Sequence, residues 1–154
     1  MSQVNSVYLQ KKQIIQFTNK PIFLNTDCTA SVLESFIDSY NYKVKRLLYN
    51  FVSKDFLYEM NMKHLSHNTD TDIITFDYTA GNQIEAEIFI SSWAIDRAAS
   101  IFRQSPVDET LRLLSHGVLH CMSYKDASIE DKKQMRSHEN KFIQMFHVKH
   151  KDYV

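Results

Sequence analysis

Residues 73–91 read IITFDYTAGNQIEAEIFIS, and the reading of this stretch decides the fold. IITFDY is rich in β-branched and aromatic residues, the composition of a strand. AGN is turn chemistry. IEAEIFI then alternates, with Ile84, Ala86, Ile88 and Ile90 on one face, which is the period of two of a half-buried strand. The two segments are expected to pair as a hairpin or to lie as near neighbours in one sheet. The period changes at WAIDRAASIFR (93–103), where the pattern becomes helical.

Working upstream, YKVKRLLYNFV (42–52) also alternates: Val44, Arg46, Leu48 and Asn50 face one way, and Lys45, Leu47, Tyr49 and Phe51 the other. Before it, TASVLESFIDSYNY (29–42) puts Val32, Leu33, Phe36, Ile37 and Tyr40 on one helical stripe, with Thr29 or Ser31 as the expected cap. QIIQF (13–17) fits a short strand, with PIFL (21–24) as its flank. SKDFLYEMNMKHL (53–65) reads as a helix capped by Ser53, with Phe56, Leu57, Met60 and Leu65 at helical spacing. HNTDTD (67–72) is a loop by composition.

Downstream, Ser105-Pro106-Val107-Asp108 opens a helix, with Ser105 as N-cap, Pro106 at the first position and acid in the first turn. Its core stripe is Leu111, Leu114, Val118 and Cys121 or Met122. Ser128-x-x-Asp131 has the capping-box pattern and opens a long amphipathic helix with Ile129, Met135, Phe142, Met145 and Phe146 as apolar anchors. The class is α+β (α/β): one mixed sheet with about five helices.

Composition narrows the function. The 154 residues suit one domain, residues 1–154, and 44% hydrophobic with 12% aromatic content is that of a globular chain. Two glycines leave no G-x-G-x-x-G and no P-loop, which excludes nucleotide binding by those routes. No apolar targeting segment and no 18-residue apolar run occurs, so a cytoplasmic protein without a membrane span is expected. Cys28 and Cys121 lack C-x-x-C spacing and read as buried, reduced thiols. A formal net charge of zero gives no support to non-specific nucleic-acid binding. The local basic groups Lys43, Lys45, Arg46 and Lys132, Lys133, Arg136 are each followed by acidic residues, as solvated faces are.

Within the helix opened by Ser105, and past its end, stands LSHGVLHCMSYKD (114–126). His116 and His120 are i and i+4, so their Cβ atoms lie about 6 Å apart on one helix face. Such a pair can hold a metal ion or stand as two exposed helix histidines. Gly117 follows His116 where a zinc protease of the H-E-x-x-H type has its general-base glutamate, so peptide hydrolysis is disfavoured. A mid-helix glycine costs about 1 kcal/mol against alanine, which implies close packing of a strand or substrate on that backbone. Asp126 lies beyond the helix end, where a turn can return its carboxylate to the two imidazoles. Two nitrogens and one oxygen leave a coordination position open, as a catalytic zinc needs.

SHGVLHCMSYKD resembles the H-G-x-L-H-L-x-G-Y-D-H motif of the YbeY family, rRNA maturation factors with a zincin-like fold. TDTDIITFDY is similar to that family's T-D-V-L-S-F-P segment, EAEIFIS to its G-D-I-x-I-S strand, and Met60-Asn61-Met62-Lys63-His64 to its N-x-x-Y context. The blocks agree in order and spacing over roughly residues 40–145. Asp126 stands where the family has its third histidine, Ser123 where it has glycine, and Glu87 where it has aspartate. The family arginine aligns near Leu65, with Lys63, His64 and His67 as the neighbouring groups.

The resemblance implies a single YbeY-like metal-binding domain with a four-stranded sheet and the metal site on a central helix. It implies one zinc per chain, or another divalent ion, on His116, His120 and Asp126. Lys63, His64 and His67 are then the candidates for phosphate contact. The implied activity is metal-dependent, single-strand-specific endoribonuclease cleavage in small-subunit rRNA 3′-end maturation and ribosome quality control. The implied partners are rRNA and the small ribosomal subunit, with a ribosomal protein or an assembly GTPase as further possibilities. The alternatives are a non-catalytic assembly factor with a structural metal and a metal-dependent hydrolase of another substrate. His138 is expected to be solvated or to pack between helices, His147 and His150 to be exposed, and Trp93 to pack in the core or at its rim.

Overall fold

The computed structural model describes residues 14–65 and 71–153. In chain order the elements are β1 (Ile15–Thr18), α1 (Thr26–Asp38), β2 (Lys43–Val52), α2 (Lys54–Leu65), β3 (Ile73–Asp77), β4 (Gln83–Ser91), α3 (Ser92–Phe102), α4 (Pro106–Cys121) and α5 (Ile129–His150), closed by a 3-10 turn. Among the described residues the strands form one sheet in the order β1-β2-β4-β3. β1, β2 and β4 run parallel, and β3 is antiparallel at the edge. This is the mixed α+β arrangement expected, with five α-helices. No helix among the described residues is long and apolar enough to cross a membrane.

β3 and β4 are the expected hairpin, in register from Ile73 opposite Ile90 to Asp77 opposite Ala86. Ala80 and Gln83 exchange backbone hydrogen bonds across the loop, and Gly81 supplies the positive φ (58°) that its first position demands. Ile84, Ala86, Ile88 and Ile90 are all buried. Phe89, on the other face, meets Phe76 of β3 and Phe56 of α2. Helix α2 therefore lies on the face opposite the one bearing Ile88.

The alternation expected for β2 is broken at its start. Val44 pairs with Ile84, but Arg46 pairs with Glu85, so one extra residue bulges between them. The bulge inverts the pleat, and Val44 packs against the same core as Leu47, Tyr49 and Phe51 rather than facing away with Arg46. The cap of α1 is also corrected. Asn25, not Thr29 or Ser31, is the N-cap, its Oδ1 accepting from Cys28 N at 3.0 Å. Thr29 is fully buried and donates its hydroxyl back to the Asn25 carbonyl at 2.6 Å. A hydroxyl committed to the i−4 carbonyl cannot cap the helix, so the start is set one turn earlier by Asn25.

Two expected anchors are not core residues. Phe56 is 47% exposed and Ile129 80% exposed, because each sits in the first turn of its helix, beyond the edge of the packed layer. Ser53 caps α2 as expected, accepting from Phe56 N, and the Ser128–Asp131 capping box of α5 is complete. Met135, Phe142 and Phe146 hold α5 to the core, with Phe142 against Phe36 of α1 at 5.2 Å between ring centroids.

Helix α4 is the element that carries the histidines, and four features start it and set it down on the sheet. Ser105 caps it and accepts from Asp108 N at 3.0 Å, with Pro106 in its first turn. Leu111, Leu114 and Val118 are fully buried. The Tyr49 hydroxyl, buried in β2, donates to the Leu114 carbonyl at 2.8 Å. A Cβ at Gly117 would stand 2.7 Å from Ile88 Cδ1 and 3.4 Å from Ile73 Cδ1. The close-packed partner implied by the mid-helix glycine is thus the sheet itself, through β4 and β3.

Candidate metal centre

His116 and His120 project from α4 with ring centroids 4.5 Å apart and their planes near perpendicular. Their Nε2 atoms face one another at 3.0 Å. Asp126 Oδ2 completes a triangle, 3.2 Å from His116 Nε2 and 3.4 Å from His120 Nε2. Among the described residues these three side chains form the group able to hold a metal ion.

The return of Asp126 is made by the end of α4. Tyr124 N donates to Leu119 O, and Ser123 N to His120 O, each at 3.0 Å. These are the paired bonds of a Schellman turn, and they require a left-handed residue, here Ser123 at φ 73°. Ser123 stands where the resemblance places a family glycine. The reversal carries the chain back across the helix end, so a carboxylate six residues after His120 reaches both imidazoles.

The donor set fits a metal ion. Bonds of about 2.0–2.1 Å at tetrahedral angles put neighbouring ligand atoms about 3.3–3.4 Å apart. The observed edges of 3.0, 3.2 and 3.4 Å are close to that spacing. Two imidazole nitrogens and one carboxylate oxygen suit zinc and other divalent ions alike.

A residue that sequence reading passed over fixes the first candidate ligand. Glu139 of α5 is buried, and its Oε2 lies 2.7 Å from His116 Nδ1. A carboxylate only accepts, so Nδ1 carries the proton and Nε2 presents its lone pair to the site. Arg112, one turn before His116 on the same face, donates from Nη1 to Glu139 Oε1 and to Asn140 Oδ1, both at 3.1 Å. In the sequence Glu139 is one acid in a charged helix; its place one turn after the buried Met135 was the available signal.

A second cluster backs the Asp126 turn. The Tyr40 hydroxyl bonds His138 Nδ1, and the Tyr124 ring packs on both, 4.4 Å from His138 and 5.8 Å from Tyr40. Burial pushes the Tyr40 phenol up to about 12, with Tyr124 adding to the shift. Burial first, then the Lys141 charge, holds His138 below its ordinary value. His138 therefore packs between helices, one of the two expected roles.

Cys121 and Cys28 are free and buried, as expected. Burial, reinforced by Asp77, pushes the Cys121 thiol up to about 12, so it stays protonated beside the site. Lys63 and His64 are exposed at the end of α2, where the His64 ring meets Phe76 of β3 edge-on at 5.9 Å. They border the same edge strand as α4, from the opposite face of the sheet. His67 lies outside the described residues. His147 is half exposed and pairs with Asp108 at 2.6 Å. Trp93 is a rim residue, with Lys54 Nζ 4.1 Å above its ring.

Comparison with known proteins places the chain in a family. The sequence model of the family Endoribonuclease YbeY matches residues 8–147. The chain is 45% identical over 100 residues to Endoribonuclease YbeY of Flavobacterium johnsoniae, covering 65% of this chain and 72% of that protein. It is 32% identical over 141 residues to Endoribonuclease YbeY of Christiangramia forsetii, covering 91% and 99%. The solution structure of TM1509 from Thermotoga maritima shares the fold, with a TM-score of 0.62 at 19% identity over 90% of this chain and 93% of that one.

Proposed function

The chain belongs to the YbeY endoribonuclease family, and from that premise we propose that it is a metal-dependent endoribonuclease cutting single-stranded RNA in small-subunit rRNA 3′-end maturation and ribosome quality control. The observation that carries the reading is the triangle of His116, His120 and Asp126, backed by Glu139. In this reading one zinc, or another divalent ion, is held by those three atoms in a single metal-binding domain spanning residues 1–154. Such an ion supplies Lewis acidity toward a phosphoryl oxygen and a lowered pKa for water.

The chain's own residues do the rest. Glu139 keeps the His116 tautomer that leaves Nε2 free to ligate. Ser123 and Tyr124 hold the turn that returns Asp126. Lys63, His64 and His67, in place of the family arginine, are the groups assigned to neutralise substrate phosphate. The partners in this reading are rRNA and the small ribosomal subunit, with a ribosomal protein or an assembly GTPase beside them, and the compartment is the cytoplasm.

One observation favours the alternative of a non-catalytic assembly factor: the arginine position falls near Leu65, with no arginine beside it. Incubation of the metal-loaded protein with precursor small-subunit rRNA, with and without chelator, separates the two. Chelator-sensitive cleavage lost in His120→Ala supports the enzyme. Metal-loaded protein that binds small subunits and leaves the RNA intact establishes the assembly factor instead.

A further inference from the structure

We propose that the exposed basic stripe of α5, built from Lys132, Lys133 and Arg136 with Asn140, is the track along which the RNA backbone approaches the metal centre. This rests on the RNA reading of the site and names the surface that delivers its substrate.

The stripe is a surface feature of one helix face. Residues 129, 132, 133, 136, 137 and 140 recur at the three- and four-residue spacings that stack side chains along a helix. They line a shallow groove of about 510 Å³. All but one of these residues are polar, and the exception is the exposed Ile129 at its head. Lys132 and Lys133 enter no ion pair among the described residues, so their charge is unspent. Of the acids of the same segment, Asp131 is taken up in the capping box and Glu139 is buried, while Glu130 borders the stripe one turn before Lys133. A chain of zero net charge thus presents one locally positive face, and local field, not net charge, steers a polyanion.

That face is tied to the metal centre through the buried Glu139. Arg136 Nη1 lies 4.0 Å from Glu139 Oε1, and the other oxygen of that carboxylate holds His116. Asn140 bonds Arg112, which stands one turn from His116 on α4. In this proposal a strand with one phosphate at the metal centre lays its neighbouring phosphates along this stripe. Lysine and arginine heads contact phosphate without reading bases, and asparagine and serine add hydrogen bonds to backbone oxygens, as a sequence-tolerant track requires.

The test is a triple variant, Lys132→Gln with Lys133→Gln and Arg136→Gln, in the metal-loaded protein. A control triple variant, Lys43→Gln with Lys45→Gln and Arg46→Gln, makes the same change in net charge on β2. Cleavage of a single-stranded RNA oligonucleotide is followed from 50 to 200 mM salt. The stripe variant should lose about tenfold or more in kcat/KM with kcat nearly unchanged, and its log–log salt slope should flatten by about 2, from three phosphate contacts at about 0.7 each. The control should match wild type. Equal losses in both variants, or an unchanged slope in the stripe variant, overturn the proposal. If the wild type cleaves no RNA, the nuclease reading fails separately, and fluorescence anisotropy of labelled RNA still decides: equal binding by wild type and stripe variant overturns the track, and weakened binding by that variant alone upholds it. Intact RNA binding with lost binding to a ribosomal protein also overturns it.

Discussion

Glu139 accepts the Nδ1–H of His116 at 2.7 Å, so the first candidate metal ligand is set by a buried carboxylate on a different helix. That carboxylate is itself held by Arg112, so the ring has little freedom to turn or to change tautomer. Partners of this kind are worth about 10–100-fold in metal affinity.

Glu139→Gln should therefore weaken zinc binding by about 10–100-fold while leaving the fold intact, as read by competition with a chromophoric chelator. Glu139→Ala should go further and lower stability by about 3 kcal/mol, because it strands the half-buried Arg112 guanidinium. Equal zinc affinity in wild type and Glu139→Gln would show that the contact does not position His116.

Asp126→Ala should release the ion from a two-histidine remnant. Asp126→His should retain one zinc per chain and lose affinity for the harder divalent ions, since imidazole replaces a carboxylate oxygen. Metal analysis of both purified variants measures this directly.

Ser123→Gly should stabilise the protein by about 1 kcal/mol, because glycine takes the left-handed φ of 73° without the Cβ penalty. The melting temperature should rise by about 2–4 °C. A fall would mean that the Ser123 side chain contributes more than its backbone strain costs.

Gly117→Val should destabilise by about 1–3 kcal/mol, since its Cβ alone would enter the space of Ile88 Cδ1 at 2.7 Å. The same variant should also lose zinc affinity, because the helix must lift from the sheet and carry His116 with it. Denaturant unfolding and zinc titration together check both halves.

His138 makes stability depend on pH. Its folded-state value lies below the ordinary 6.5, so the unfolded chain takes up this proton at higher pH than the folded protein does. Its contribution is whole above about pH 6.5 and is lost as pH falls through the folded value. The Tyr40 hydroxyl, held near 12, stays protonated throughout and bonds the neutral imidazole. The stability advantage of wild type over His138→Gln should therefore shrink as pH is lowered from 7 to 5. An advantage constant over that range would remove His138 from the account.

The sequence by itself determined the elements and the donor types of the candidate site. Period two in Ile84–Ile90 and period 3.6 in Leu111–Val118 are local patterns, and the Ser105 and Ser128 caps act within one turn, so all could be read from neighbours in the chain. The i, i+4 spacing of His116 and His120 is local for the same reason. What departed from that reading depended on contacts far apart in sequence. The β2 bulge is settled by register against β4, and the exposure of Phe56 and Ile129 by where each helix overhangs the core. The tertiary structure alone decided the role of Glu139, 23 residues from His116, because its place one turn after Met135 marks an inward face but not the ring it meets. It also decided what Gly117 packs against and how closely Asp126 approaches both rings, since those distances are set by the sheet and the turn together.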